Sequence, residues 1–139
     1  MVSIARTVYP CLVRFDEKAR ENLEAAERLL STVNDTDLPL NNAAASRAYY
    51  AAYQAVADRA QQEGIRFDSS RSNYYRHDTL AALARDWRIL DDEQSDELVL
   101  LYGLRVKADY MADQVDYDEA AGATDSARRL VDVLLETNR

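Results

Sequence analysis

The sequence is first notable for what it is short of. Among 139 residues there are 3 Gly and 2 Pro. Gly and Pro supply the tight turns between strands, so their scarcity argues against a many-stranded β fold. The single cysteine, Cys11, excludes an internal disulfide and fits a reducing compartment, the cytoplasm. The single histidine, His77, has no cysteine near it, which leaves no credible zinc site. Long apolar runs are missing as well. The longest, Leu98 to Leu104, is seven residues, where a bilayer span needs roughly 20. Arg6, Pro10 and Arg14 interrupt the first fourteen residues, so no signal peptide is expected. There is no Gly-rich phosphate loop, no nucleophile elbow, no His-Glu-x-x-His and no paired Glu-x-x-His. No cofactor and no metal are expected.

Positive charge is also in deficit. Lys and Arg number 17 against 25 Asp and Glu, a net charge of -8. A diffuse acidic surface repels phosphate, so generic nucleic-acid binding is disfavoured, while a local basic site stays compatible. Arg exceeds Lys by 15 to 2, and Asp exceeds Glu. GC-rich coding and a high-salt cytoplasm are both open as reasons.

What is present is helical periodicity. The length fits one domain, residues 1–139, with 1–14 as a loosely packed N-terminal segment. Five helical segments are expected, an all-α, up-and-down bundle of four to five helices. The first runs from about Asp16 to Val33, with Phe15, Ala19, Leu23, Ala26 and Leu30 on one face. The second runs from about Asn42 to Glu63, with Asn41 or Asn42 as N-cap and Gly64 as C-terminal cap. Ala44, Ala48, Ala51 and Ala55 line one face of it, and Tyr49, Tyr53 and Val56 another. A helix apolar on two faces is usually central. Residues 64–76 read as a loop. A short third helix, about Asp78 to Arg88, turns Leu80, Leu83, Ala84 and Trp87 inward. The fourth, about Asp92 to Asp113, carries one stripe through Leu98, Leu101, Tyr102, Arg105 and Asp109, and a second through Leu100, Leu104 and Met111. The fifth, about Asp118 to Thr137, starts on Asp118 as N-cap and buries Ala127, Leu130, Val131, Leu134 and Leu135.

Arg105 and Asp109 are the most informative pair. Both sit in an apolar stripe, where a charge is costly unless paired, and four residues apart they reach each other. One reading is a structural ion pair. The other is an arginine at the floor of a cleft, set to hold a phosphate or another anion. His77 is either a surface or capping residue or, with Arg105, a catalytic one. Tyr49 and Tyr53 sit at core spacing. Tyr74 and Tyr75, between Arg71 and Arg76, are better placed to contact a partner or nucleic acid. Arg47, Arg71, Arg76 and Arg105 are expected to form a small basic spot on an acidic surface.

Two of these segments carry a family resemblance. Ala45-Ser46-Arg47-Ala48-Tyr49-Tyr50-Ala51-Ala52-Tyr53 is similar to the Ser-Arg-Ala-Tyr-Tyr-Ala-Ala-aromatic pattern of the HEPN family. Leu104-Arg105-Val106-Lys107-Ala108-Asp109-Tyr110 resembles the Leu-Arg-x-x-Ala-Asp-Tyr of one of its branches. The resemblance runs over roughly residues 12 to 137. It implies a helical bundle that dimerises through its motif helices. It also implies pairing with a minimal nucleotidyltransferase in toxin–antitoxin or defence systems, and in many members metal-independent RNA cleavage by an Arg and a His with four to six residues between them. Here the positions for that His hold Tyr110 and, beyond it, Met111 and Ala112. A phenol is a poor base near neutral pH. The expectation is thus a non-catalytic or weakly active module. The alternatives are a ribonuclease using Arg105 with Tyr110 or His77, and a purely structural helical dimer module.

Overall fold

The computed structural model describes residues 14–31, 38–65, 76–110 and 115–136. They form α1 (Phe15–Ser31), α2 (Leu38–Gln62), α3 (Leu80–Asp86), α4 (Asp92–Tyr110) and α5 (Tyr117–Glu136), with no strand among the described residues. The all-α bundle read from periodicity is the fold. No helix among the described residues is long and apolar enough to cross a membrane.

The bundle is organised by the composition of α2. Its Ala44, Ala45, Ala48, Ala51, Ala52, Ala55 and Ala57 are all fully buried, and Tyr49, Tyr53 and Val56 are buried between them. A helix apolar on more than one face must be covered on each of them. α2 accordingly packs against α1, α5 and α4, and touches α3. Methyl side chains hold these neighbours at short range, which multiplies dispersion contacts. Outward residues of α1 and α5 are charged, and Glu27 holds Arg128 through two hydrogen bonds of 2.6 and 2.7 Å.

Pairing across the helices gives their direction. Ser46 meets Asp109 and Tyr50 meets Arg105, so α2 and α4 run antiparallel. Glu97 meets Arg129 and Lys107 meets Glu119, so α4 and α5 do too.

Several boundaries differ from the periodic reading. α2 starts at Leu38, so Asn41 and Asn42 lie inside the helix and neither caps it. Pro39 falls in the first turn, where a missing N–H breaks no helical bond. Asn42 Oδ1 instead accepts a 2.8 Å bond from the Val115 backbone N–H. α5 is capped by Asp116 and not Asp118. The Asp116 carboxylate accepts from the Glu119 N–H at 2.7 Å, and Glu119 accepts from the Asp116 N–H at 3.1 Å, a reciprocal capping box. The Gly64 cap is present, with φ of 78° and the Ile65 N–H bonded to the Ala60 carbonyl at 3.0 Å.

The third helix is shorter than expected and ends at Asp86. Arg88 adopts φ of 61°, the left-handed conformation usually left to Gly, and the Ile89 N–H bonds to the Ala84 carbonyl at 2.8 Å. This turn sends Leu90 into the core and leaves Trp87, expected inward, 58% exposed. On the second stripe of α4, Leu104 packs against the core while Leu100 is 69% exposed. Residues 1–14 other than Arg14, Val33, Met111, Ala112 and Thr137 lie outside the described residues.

Because α2 approaches its neighbours through methyl groups, Ala48→Leu inserts three carbons where no space exists. We expect a loss of about 1–3 kcal/mol, read as a lower urea midpoint with unchanged helical circular dichroism. A neutral substitution would contradict close packing at α2.

Candidate functional site

The seam between α2 and α4 carries a cluster of interacting polar side chains. On α2, Ser46 and Tyr50 are one turn apart; on α4, Arg105 and Asp109 are one turn apart. The antiparallel arrangement sets one pair against the other. Arg105 Nη2 donates to the Tyr50 hydroxyl at 2.8 Å and to the Tyr110 hydroxyl at 3.1 Å. The Ser46 hydroxyl donates to Asp109 Oδ2 at 3.3 Å.

The expected Arg105–Asp109 pair exists, with Nε 3.2 Å from Oδ2. Nε is nevertheless buried without a hydrogen bond: the carboxylate is close enough for Coulomb attraction and is not aligned with the N–H. The Arg105 side chain is 13% exposed and that of Asp109 32%. Arg105 Nη1 has no partner among the described residues. The guanidinium carbon lies 5.4 Å from the Tyr50 ring centroid and 5.0 Å from that of Tyr110, both within cation–π range. Tyr110 is 70% exposed, so it shields the charge from outside at little cost to itself. Burial works against the Arg105 charge, but the Tyr50 bond, followed by the neighbouring Tyr110 and Asp109, outweighs it and raises its pKa.

His77 lies in the turn before α3 and does not open that helix. Its ring stacks on Tyr53 at 4.4 Å and meets the Tyr50 ring edge-on at 5.8 Å. Tyr102 lies parallel to it at 6.4 Å. Its Nδ1 is 2.6 Å from the Tyr49 hydroxyl. Tyr49 is 1% exposed, and burial pushes its pKa far up, so the phenol keeps its proton. His77 is the one hydrogen-bond partner of that hydroxyl among the described residues. The buried O–H is satisfied only if it donates to Nδ1. That assignment puts the proton of the neutral ring on Nε2, which makes the second nitrogen a donor and not a base.

The other sequence candidates distribute as follows. Arg47 is exposed and donates to Asn22 Oδ1 at 3.2 Å. Arg76 is exposed and pairs with Asp78 at 2.8 Å. Arg71, Tyr74 and Tyr75 lie outside the described residues. Thus Arg105, Asp109, Tyr110 and His77 share one aromatic cluster, while Arg47 and Arg76 are held by polar neighbours. Sequence reading overlooked Ser46 and Tyr50 as partners of Asp109 and Arg105. The signal was there: a second polar pair at four-residue spacing on the other apolar helix. No group of His, Cys, Asp and Glu among the described residues is placed to hold a metal ion.

The His77 environment makes a pH prediction. Burial lowers its pKa, and the positive Arg105 lowers it further, against a smaller opposite pull from Asp78. An unfolded chain protonates its histidine near the ordinary value of about 6.5, the folded chain only below it. Between those values the unfolded state binds more protons, so stability falls as pH falls below about 6.5. His77→Gln should flatten that part of the profile. Urea midpoints at pH 7.5 and 5.5 measure this, and an unchanged difference between the two would contradict a buried, neutral His77.

Compared with known proteins, the sequence matches no family model, and no curated protein matches it.

Proposed function

We propose that this chain is a HEPN-like helical module that binds a phosphate-bearing ligand at Arg105 without cleaving it. In this reading it works as a homodimer beside a minimal nucleotidyltransferase or a nucleic-acid partner, in a toxin–antitoxin or defence setting. The observation that carries the reading is the guanidinium itself. Arg105 is fixed on three sides by Tyr50, Tyr110 and Asp109, and one nitrogen of its fork is left for an anion. Such a fork is suited to phosphate oxygens. The candidate bases among the described residues are all engaged, Asp109 by Ser46 and Arg105. The Tyr110 oxygen already accepts from Arg105, and the Nδ1 of His77 is taken by Tyr49.

A second reading, an RNA-cleaving enzyme, is favoured by one observation. His77 and Arg105 both touch Tyr50, one at the ring edge and one at the hydroxyl. A purely structural role for the Arg105–Asp109 pair is the third.

A single variant separates them. Arg105→Ala leaves Asp109 unpaired, but that carboxylate is a third exposed and keeps Ser46. The cost should fall between exposed and buried pairs, about 1–3 kcal/mol. Fluorescence anisotropy with ATP and with a labelled oligoribonucleotide should show binding that weakens at least tenfold in the variant, with no cleavage by the parent. Cleavage that depends on both Arg105 and His77 would establish the second reading. Binding unchanged by the substitution would establish the third.

The homodimer is expected across α4 and not α2, whose apolar faces are used up inside the bundle. Val99, Val106 and Tyr110 share one flank of α4, and Val99 is 56% exposed. Light scattering should give a dimer mass for the parent and a monomer for Val99→Asp. A monomeric parent at all concentrations would remove the dimer from the proposal.

A further inference from the structure

A second surface of α4 lies on its α5 side, flanking the stripe that carries Arg105. There α4 and α5 lie side by side but touch sparsely. Two ion pairs bracket the seam: Glu97 with Arg129 at 3.0 Å and Lys107 with Glu119 at 3.2 Å. Between them is an open groove of about 280 Å³. Leu101 and Ala123 form its buried floor, and Leu100, Leu104 and Gly122 its sides.

Two features of this groove are unexplained by the chain's own packing. Gly122 sits inside a helix, where glycine is unfavourable, yet a Cβ placed there would meet nothing within 4 Å. The fold therefore does not require a glycine at 122, and its absence of side chain is what opens the groove. Leu100 is a large apolar side chain left 69% exposed on the rim. Around both, the charge has one sign in excess. Glu97 and Glu119 are already matched by Arg129 and Lys107, whereas Asp118, which also lines the groove, is exposed and in no ion pair among the described residues.

The rim chooses the occupant. A second copy would bring the same acidic rim and its own net charge of -8, so groove-to-groove self-association sets like charges together. Nucleic acid and anionic lipid are repelled for the same reason. A helix with an apolar ridge and cationic flanks is complementary in both respects. From Glu97 to Lys107 the groove offers about 15 Å of helix length, room for anchors at i, i+3 or i+4, and i+7. We propose that the α4–α5 groove docks a helix of another protein, one whose apolar ridge is flanked by Lys or Arg. This surface is independent of the phosphate reading of Arg105.

The test uses two synthetic amphipathic helices with the same leucine ridge, one flanked by lysines and one by glutamates. Anisotropy should show binding of the lysine peptide to the parent and at least tenfold weaker binding of the glutamate peptide. Gly122→Leu fills the groove, and Leu100→Ser removes an exposed rim contact without touching the core. Each should weaken the lysine peptide at least tenfold, while Arg105→Ala should leave it unchanged. Circular dichroism confirms that the variants are folded. Equal binding to parent and to both groove variants would reduce the effect to general charge attraction and overturn the proposal. A parent dimer that Leu100→Ser converts to monomer would overturn it too, because a second copy would then be the occupant.

Discussion

The close approach of α2 to its neighbours is the constraint on which the remaining structure depends. Alanine at Ala44, Ala48, Ala51, Ala52 and Ala55 leaves no side-chain bulk between helices. α4 is thereby brought near enough for Tyr50 to reach Arg105 and for Ser46 to reach Asp109. Larger residues at these positions would widen the seam. The arginine would then have to be hydrated or lost, because a guanidinium in an apolar stripe needs partners within hydrogen-bond range. Packing and electrostatics are thus one design at this seam: the small residues set the distance, and the polar residues use it.

The tyrosines do different work according to depth. Tyr49 and Tyr53 are buried and form the wall on which His77 rests. Tyr50 is half-buried and joins the two halves of the cluster, its edge against His77 and its hydroxyl on Arg105. Tyr110, mostly exposed, covers the guanidinium from the other side. One residue type therefore supplies core volume, a hydrogen bond to a ring nitrogen and shielding of a cation, because its ring is apolar and its tip is polar. The cluster holds two groups of opposite habit. Arg105 is kept charged, and His77 is kept neutral partly by that same charge.

Much of this was legible in the sequence. The helical period located α1, α2, α4 and α5 to within a few residues, since each has a repeated apolar face. The centrality of α2 followed from its two apolar faces, and the Arg105–Asp109 pair from spacing alone. What spacing does not encode is which helix lies opposite. The Tyr50 and Ser46 contacts, and the linking of His77 to Arg105 through Tyr50, depend on tertiary direction. Errors at the ends have local causes. Pro39 is compatible with a first helical turn, so it did not mark a boundary, and Asp116 competed with Asp118 for the same cap. Trp87 was misplaced because Arg88 takes a backbone conformation that its residue type does not advertise. Leu100 lies on the second apolar stripe of α4, and periodicity marks such a stripe without telling whether a neighbour covers it; here none covers Leu100.

The outward turn at Arg88 has a spectroscopic consequence. Trp87 is the only tryptophan in the chain and is more than half exposed at the end of the shortest helix. Its emission therefore samples solvent in the folded state as well as the unfolded one, and the collapse of the α1–α2–α5 core passes beneath it almost unseen. The optical signature of that core resides instead in the tyrosines, whose near-ultraviolet signals depend on the fixed ring geometry between Tyr49, Tyr50, Tyr53 and Tyr102.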